Sequence, residues 1–186
     1  MDIFSAFGLS ASAGLNAYIP LLVVALLGKF TNLITLSSPW NTLESWWVIG
    51  VLVMLSIVEF FADKVPAINH VNDIIQTIIR PIAGAIVFAA SAQIITDVHP
   101  VLAMVMGLFV AGTVHAVKSL AVRPAVTAST GGAGNVPVSI AEDLVSTIIS
   151  IIAAVTPVLI AVILVLGGAL IVWLIWRRIN RERARI

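Results

Sequence analysis

The chain has 186 residues, 60% of them hydrophobic and only 10% charged, with a formal net charge of +1 and a mean hydropathy of +1.12. A soluble domain carries about 25% charged residues, and one of this size cannot hide so large an apolar surplus in a core. A water-soluble globular protein is thereby excluded, and the composition predicts an all-α integral membrane protein forming a single transmembrane domain over 1–186. Cysteine is absent, which excludes a disulfide framework and a thiolate metal site.

The charge is unevenly placed. Arg177, Arg178, Arg181, Arg183 and Arg185 account for five of the ten basic residues. They make 177–186 a basic cytoplasmic tail of the stop-transfer kind, with Trp173 and Trp176 as interfacial anchors. A topology signal suffices for this tail, so membrane lipids rather than nucleic acid are the expected partners. The opening Met1-Asp2-Ile3-Phe4 lacks a basic region, and the apolar run behind it is long enough to span, so no cleavable signal is expected.

A spanning helix needs about 20 predominantly apolar residues. The first candidate, Phe4–Phe30, is broken at Ser12–Pro20, where Gly14, Asn16 and Pro20 fall within seven residues. Backbone freed at membrane depth must be buried in protein or line a cavity; the same small residues also permit close helix packing. Thr31–Glu44 is a polar loop. A second span, Trp46–Phe61, starts at an aromatic interface and ends among Glu59, Asp63 and Lys64, before Val65-Pro66.

Pro66–Arg80 reads as an amphipathic helix. Asn69, His70, Asn72, Asp73, Gln76, Thr77 and Arg80 share one arc, and six Ile and Val residues fill the other. Its ~20 Å is short for a bilayer crossing, which leaves it in the interface or lining a cavity. Pro81–Val98 is the third span, and Val101–Ala121, carrying His115 and Lys118, is the fourth. Arg123–Asn135 is a Gly-rich connection, read as a re-entrant-type loop. Pro137 suits the first turn of a helix to about Val155, and Pro157 separates it from the last span, Val158–Trp176.

The chain repeats itself. Asp73-Ile74-Ile75-Gln76-Thr77-Ile78-Ile79 matches Asp143-Leu144-Val145-Ser146-Thr147-Ile148-Ile149, and each polar stripe follows a Val-Pro. The expected copies are 46–98 and 101–176, a build common in transporters, with the site between copies. Six spans with both termini inside put nine basic residues inside and only Lys29 outside. Seven spans, with both striped helices crossing, give the same nine-to-one split with Lys64 now outside, and are the alternative.

A charge at the centre of a spanning helix costs roughly 2.5–3.5 kcal/mol, so such residues are paired, buried and functional. The candidates for a polar pathway or ligand site are Asn16, Glu59, Asp63, Asp73, Arg80, His115, Lys118, Asn135, Glu142 and Asp143. The competing reading is mutual neutralisation, with Arg80, Lys118 and Arg123 pairing the acids. A divalent metal is the sharper alternative, held by His70, Asp73, Glu59 and Glu142, whose oxygen and imidazole ligands suit Mn, Fe, Zn or Mg. The Gly-rich loop lacks the Lys-Ser/Thr of a phosphate-binding P-loop, and no nucleophile triad stands out, so no catalytic residue is assigned.

The segments Ser12–Pro20, Val58–Pro66 and Ser139–Asp143 resemble a family of small bacterial inner-membrane proteins designated only as a domain of unknown function, family 4126. The resemblance runs from about Phe7 to Val155. It implies a bacterial inner-membrane location and carries over no activity.

The leading expectation is a small transport protein, a channel or carrier for an ion or small polar solute, with no resident cofactor. A length of 186 residues admits a dimer. A metal-binding membrane enzyme or lipid-handling protein is the second expectation, and a structural or assembly factor the third. Ion pairing of Glu59, Asp73, Glu142 and Asp143 alike, without a continuous polar cavity, would weigh against transport.

Overall fold

The structure, a computed structural model, describes residues 3–64, 66–92 and 99–183. Its elements are helical: α1 (Ile3–Leu15), α2 (Tyr18–Phe30), α3 (Trp46–Ala62), α4 (Pro66–Ala92), α5 (Pro100–Val117), α6 (Arg123–Thr130), α7 (Asn135–Val155) and α8 (Pro157–Arg183), with a short 3-10 turn at Trp40–Glu44. No strand occurs among the described residues. Four stretches are long and apolar enough to cross a membrane: Val71–Ala92, Pro100–Thr130, Asn135–Val155 and Pro157–Arg178.

The expected first span is instead a helical hairpin. At about 1.5 Å per residue, α1 and α2 each reach only ~20 Å, and the chain turns back between them at Asn16. Both outer ends lie at the same end of the bundle. Trp40, in the 3-10 turn after α2, packs against the cluster of Ala6, Phe88, Ala89, Ala92 and Ala103, and Lys29 donates to the Glu44 carbonyl at 2.8 Å. Asn16 makes the reversal tolerable. Its side-chain oxygen accepts from the Tyr18 and Ile19 amides, at 3.1 Å each, and so caps α2.

Two further expectations are corrected. Pro66–Arg80 and the span after it are one helix, α4, with Pro81 inside it. Proline removes one backbone donor, but neighbouring helices hold the α4 axis through it. The Gly-rich connection does not re-enter the bundle. Gly131–Gly134 is an exposed turn between α6 and α7, and Gly131 closes α6 in the left-handed conformation (φ 62°) that glycine adopts without penalty.

The hairpin stands at the centre. Helix α1 runs antiparallel to both α4 and α7. Ser10 Oγ donates to the Gly84 carbonyl (2.8 Å), and Ser12 Oγ meets Ser146 Oγ (2.8 Å) and Ser150 Oγ (2.6 Å). Serines pack here because small side chains let helices approach and a buried hydroxyl needs a partner. Helix α4 crosses α5 closely at Gly84, Gly107 and Ala111, where a Cβ on Gly107 would come within 2.5 Å of Phe88 Cβ. On α4 the buried positions include Gln76, Arg80, Ala83 and Gly84, with Ala85 and 87–92 buried beyond them; on α7 they are Ser139, Ser146, Ser150, Ala153 and Ala154.

One stretch departs from α-helical winding. Between α5 and α6, Lys118–Val122 forms a π turn, in which the Arg123 amide donates to the Lys118 carbonyl, five residues back. Pro124 follows directly and has no amide to offer the preceding turn.

Candidate functional site: a charge cluster at the hairpin tip

The ends of α3, α5 and the hairpin, together with α4 and α7, bring the charged residues of the bundle to one place. Asp63, just past α3, is the hub. Its Oδ2 lies 3.4 Å from Arg123 Nη2 and 3.7 Å from both Arg80 Nη2 and Lys118 Nζ. Its Oδ1 accepts from Asn72 Nδ2 at 2.7 Å, and Ser139 Oγ donates to Oδ2 at 3.5 Å.

Around this hub sit three more paired acids. Glu59 Oε1 accepts from Arg80 Nη2 (2.8 Å) and Nε (3.3 Å). Glu142 Oε2 is shared by Arg123 Nη2 (2.6 Å) and Lys118 Nζ (2.9 Å). Asp143 Oδ2 faces Lys64 Nζ at 3.3 Å, while its Oδ1 accepts from Asn16 Nδ2 at 3.0 Å. Lys118 also donates to the Leu15 carbonyl at 3.0 Å, which ties the cluster to the backbone of the hairpin tip.

His115 bridges two helices. A guanidinium has only donors, so Arg80 Nη1, at 3.1 Å, requires His115 Nδ1 to accept. Nε2 then carries the proton and donates to Thr77 Oγ1 at 3.1 Å. Thr77 passes its own proton to the Asp73 carbonyl at 2.8 Å.

Formal charge does not close. Four cations, Lys64, Arg80, Lys118 and Arg123, face five acids, Glu59, Asp63, Asp73, Glu142 and Asp143. Asp73 is the acid without an ion pair among the described residues, and its Oδ1 is buried with no hydrogen-bond partner. The other four are neutralised as buried charges must be, since an isolated one costs several kcal/mol.

Six of the ten residues expected to line a site therefore touch within one network, Glu59, Asp63, Arg80, His115, Lys118 and Glu142, while Asn16 and Asp143 join Lys64 in a second group beside it. Asp73 lies beside it, on the α4 stripe. Asn135 stands apart, exchanging hydrogen bonds with Thr127 near the α6–α7 turn (2.9 and 3.3 Å). The network also takes in Asn72, Arg123 and Ser139. Asn72 and Ser139 lie on the polar stripes visible in the sequence, and Arg123 pairs with Asp63 and Glu142 as the neutralisation reading expects.

Among the described residues, Glu59, Asp73 and Glu142 form no group able to hold a metal ion. Guanidinium and ammonium groups occupy Glu59 Oε1 and Glu142 Oε2. The His70 side chain lies outside the described residues.

Three cavities border the cluster. A polar cleft of about 290 Å³ opens beside the glycine turn, lined by Asp63, Lys64, Thr127, Gly131, Asn135 and Val136 among others. A pocket of about 320 Å³ lies at the hairpin tip between α2, α3 and α7, lined by Asn16, Ile19, Ser56, Ile57, Phe60, Phe61 and Asp143. An apolar groove of about 420 Å³ runs between α5 and α7, with Lys118 and Glu142 at its polar end. The first two share no lining residue, and the Lys64–Asp143 bridge stands between them.

Long apolar helices around a buried cluster of paired charges are the build of a multi-pass membrane protein. The chain belongs to the family described as "Domain of unknown function (DUF4126)", whose model matches residues 3–177. No curated protein and no solved structure matches it.

Proposed function

We propose that this is a small membrane transport protein, a channel or carrier for an ion or small polar solute, described here in a closed state. The observation that carries this reading is the α1–α2 hairpin. A half-depth hairpin ends in an asparagine and in the Leu15 carbonyl, which accepts from Lys118, and it delivers both to a cluster of titratable groups. Non-helical backbone at membrane depth persists where it is held by protein or lines an aqueous path.

The proposed topology has five crossings, by α3, α4, α5–α6, α7 and α8, with the hairpin dipping in from one side. Lys29 then lies on the hairpin's side. Lys64, Arg80, Lys118, Arg123 and the five tail arginines lie toward the other, a nine-to-one split that satisfies the positive-inside rule. The C-terminus is cytoplasmic on this reading, and the membrane is the bacterial inner membrane. The proposed repeat pairs α3–α4 with α5–α7 in the same orientation. In its support, an offset of 70 residues superposes the buried positions Gln76/Ser146, Arg80/Ser150, Ala83/Ala153 and Gly84/Ala154.

A structural role is the second reading, favoured by the pairing of Glu59, Asp63, Glu142 and Asp143. Flux through liposomes separates the two. Wild type should release a trapped ion or polar solute faster than empty liposomes, and Asp63→Asn and Asp143→Asn should change that rate. Equal leakage from all three and from empty liposomes ends the transport reading.

A further inference from the structure

We propose that the pocket at the hairpin tip binds a small organic ammonium ion, and that Lys64 holds it closed by lending its own ammonium as the ligand. The Lys64 Nζ sits where a guest cation would. It lies 3.2 Å from the centroid of the Phe60 ring and 3.3 Å from Asp143 Oδ2, and it donates to the Phe60 carbonyl at 2.9 Å. A ring face, a carboxylate and a carbonyl converging on one nitrogen are the components that recognise ammonium ions.

The remaining walls fit the rest of such a ligand. Ile19, Ile57 and Phe61 offer apolar surface for alkyl groups. The Ser56 hydroxyl is buried with no partner among the described residues, and so has hydrogen-bonding capacity to give. Asn16 fixes the far oxygen of Asp143 at 3.0 Å, presenting the other to the cation. A volume of about 320 Å³ is at the lower end of those that take small molecules. A bare divalent metal is a poor match, because such ions demand about six oxygen ligands.

Lys64 is suited to leave. Its bridge to Asp143 has side-chain exposures of 14% and 15%, against 0% and 1% for Arg80 with Glu59. It stands beyond the last turn of α3 on a flexible four-carbon stem. Swinging out, it would join the polar cleft, which it already lines. This deepens the transport reading by naming a solute class, yet binding and flux can be read separately.

The test is calorimetric titration of the full-length protein in detergent with butylammonium chloride and, at matched ionic strength, potassium chloride. Lys64→Gln should bind butylammonium about tenfold more tightly than wild type, since the competing ammonium is gone. Adding Phe60→Leu to that variant should weaken binding about tenfold while potassium stays weak in both. Asp143→Asn should abolish binding; if that variant does not fold, the Phe60→Leu arm decides. Lys64→Gln binding butylammonium no better than wild type, or no better than it binds potassium, overturns the proposal. Saturable binding without flux keeps the site and removes transport. Flux without such binding does the reverse.

Discussion

Lys118 and Arg123 stand five positions apart and meet on one atom, Glu142 Oε2, at 2.9 and 2.6 Å. In an α-helix five residues differ in direction by roughly 140°, so the pair could not converge. The π turn over Lys118–Val122 removes the difference by closing its hydrogen bond five residues on rather than four. The unusual winding is thus the device that gives Glu142 two cations. It also supplies Asp63 with two of its three.

A π turn is an α-helix with one residue too many, which makes its length testable. Deleting the exposed Leu120 should convert the turn to α-helix and leave Lys118 and Arg123 four apart, on one face. The variant should fold as a monodisperse species in detergent and melt within a few degrees of wild type. Deleting the similarly exposed Phe109 should turn Ala111 and His115 away from α4 and sharply reduce folded yield. Equal loss in both deletions would show that the turn has no such tolerance.

Arg80 and Glu59 are the most deeply buried pair, at 0% and 1% exposure. Arg80→Gln removes the one residue among those described that donates to the Glu59 carboxylate, and a donor from His115, so it should cost about 3–5 kcal/mol. Glu59→Gln with Arg80→Gln should cost less than the sum of the single changes, because no uncompensated charge remains. Thermal or denaturant unfolding of the four proteins gives the coupling directly. Strict additivity would mean that the two side chains do not act as a pair.

Glycines divide by surroundings. At Gly107 an added methyl would press on Phe88 Cβ and the Gly84 backbone, whereas Gly168 has open space around it. Gly107→Ala should separate α4 from α5 and destabilise by about 1–3 kcal/mol. Gly168→Ala should leave stability unchanged or raise it by up to ~1 kcal/mol. Melting temperatures of the two variants, compared in one detergent, check the contrast. Similar losses at both positions would place a partner against Gly168.

Much of the site was legible because buried charge in an apolar chain is costly and therefore conspicuous. Glu59, Asp63, Arg80, His115, Lys118, Glu142 and Asp143 could be picked out on that ground alone, and they do converge. Their pairing could not be read, since it depends on the direction each helix takes. Asn135 lies off the ion pairs, in the cleft that Asp63 and Lys64 also line, and its place could not be read for a related reason: a glycine-rich sequence reads equally as a loop folding inward or as a turn outside. Pro81 suggested a helix boundary, but one missing hydrogen bond is less than the packing of α4 against α1 and α5. The break within Phe4–Phe30 was legible and falls at Asn16–Ala17, but its apolar length suits a crossing, whereas Asn16 caps a new helix and permits a reversal. Nothing in composition separates a kink from a turn-back; the packing of Trp40 against the cluster that holds Ala6 and Phe88 does.

That reversal has a direct consequence for which residues face which side. The absence of cysteine allows single cysteines to be placed without background. Asn32→Cys, in the loop after the hairpin, and His99→Cys, before α5, should react with a membrane-impermeant maleimide from one face. Ser129→Cys, beside the glycine turn, should react only from the other. Were Phe4–Phe30 a crossing helix, the N-terminus and Asn32 would lie on opposite faces. A cysteine placed before Ile3 and one at Asn32 should instead label together. Labelling of that pair from opposite faces in intact and inverted vesicles would overturn the hairpin, and with it the argument that backbone from its tip reaches Lys118.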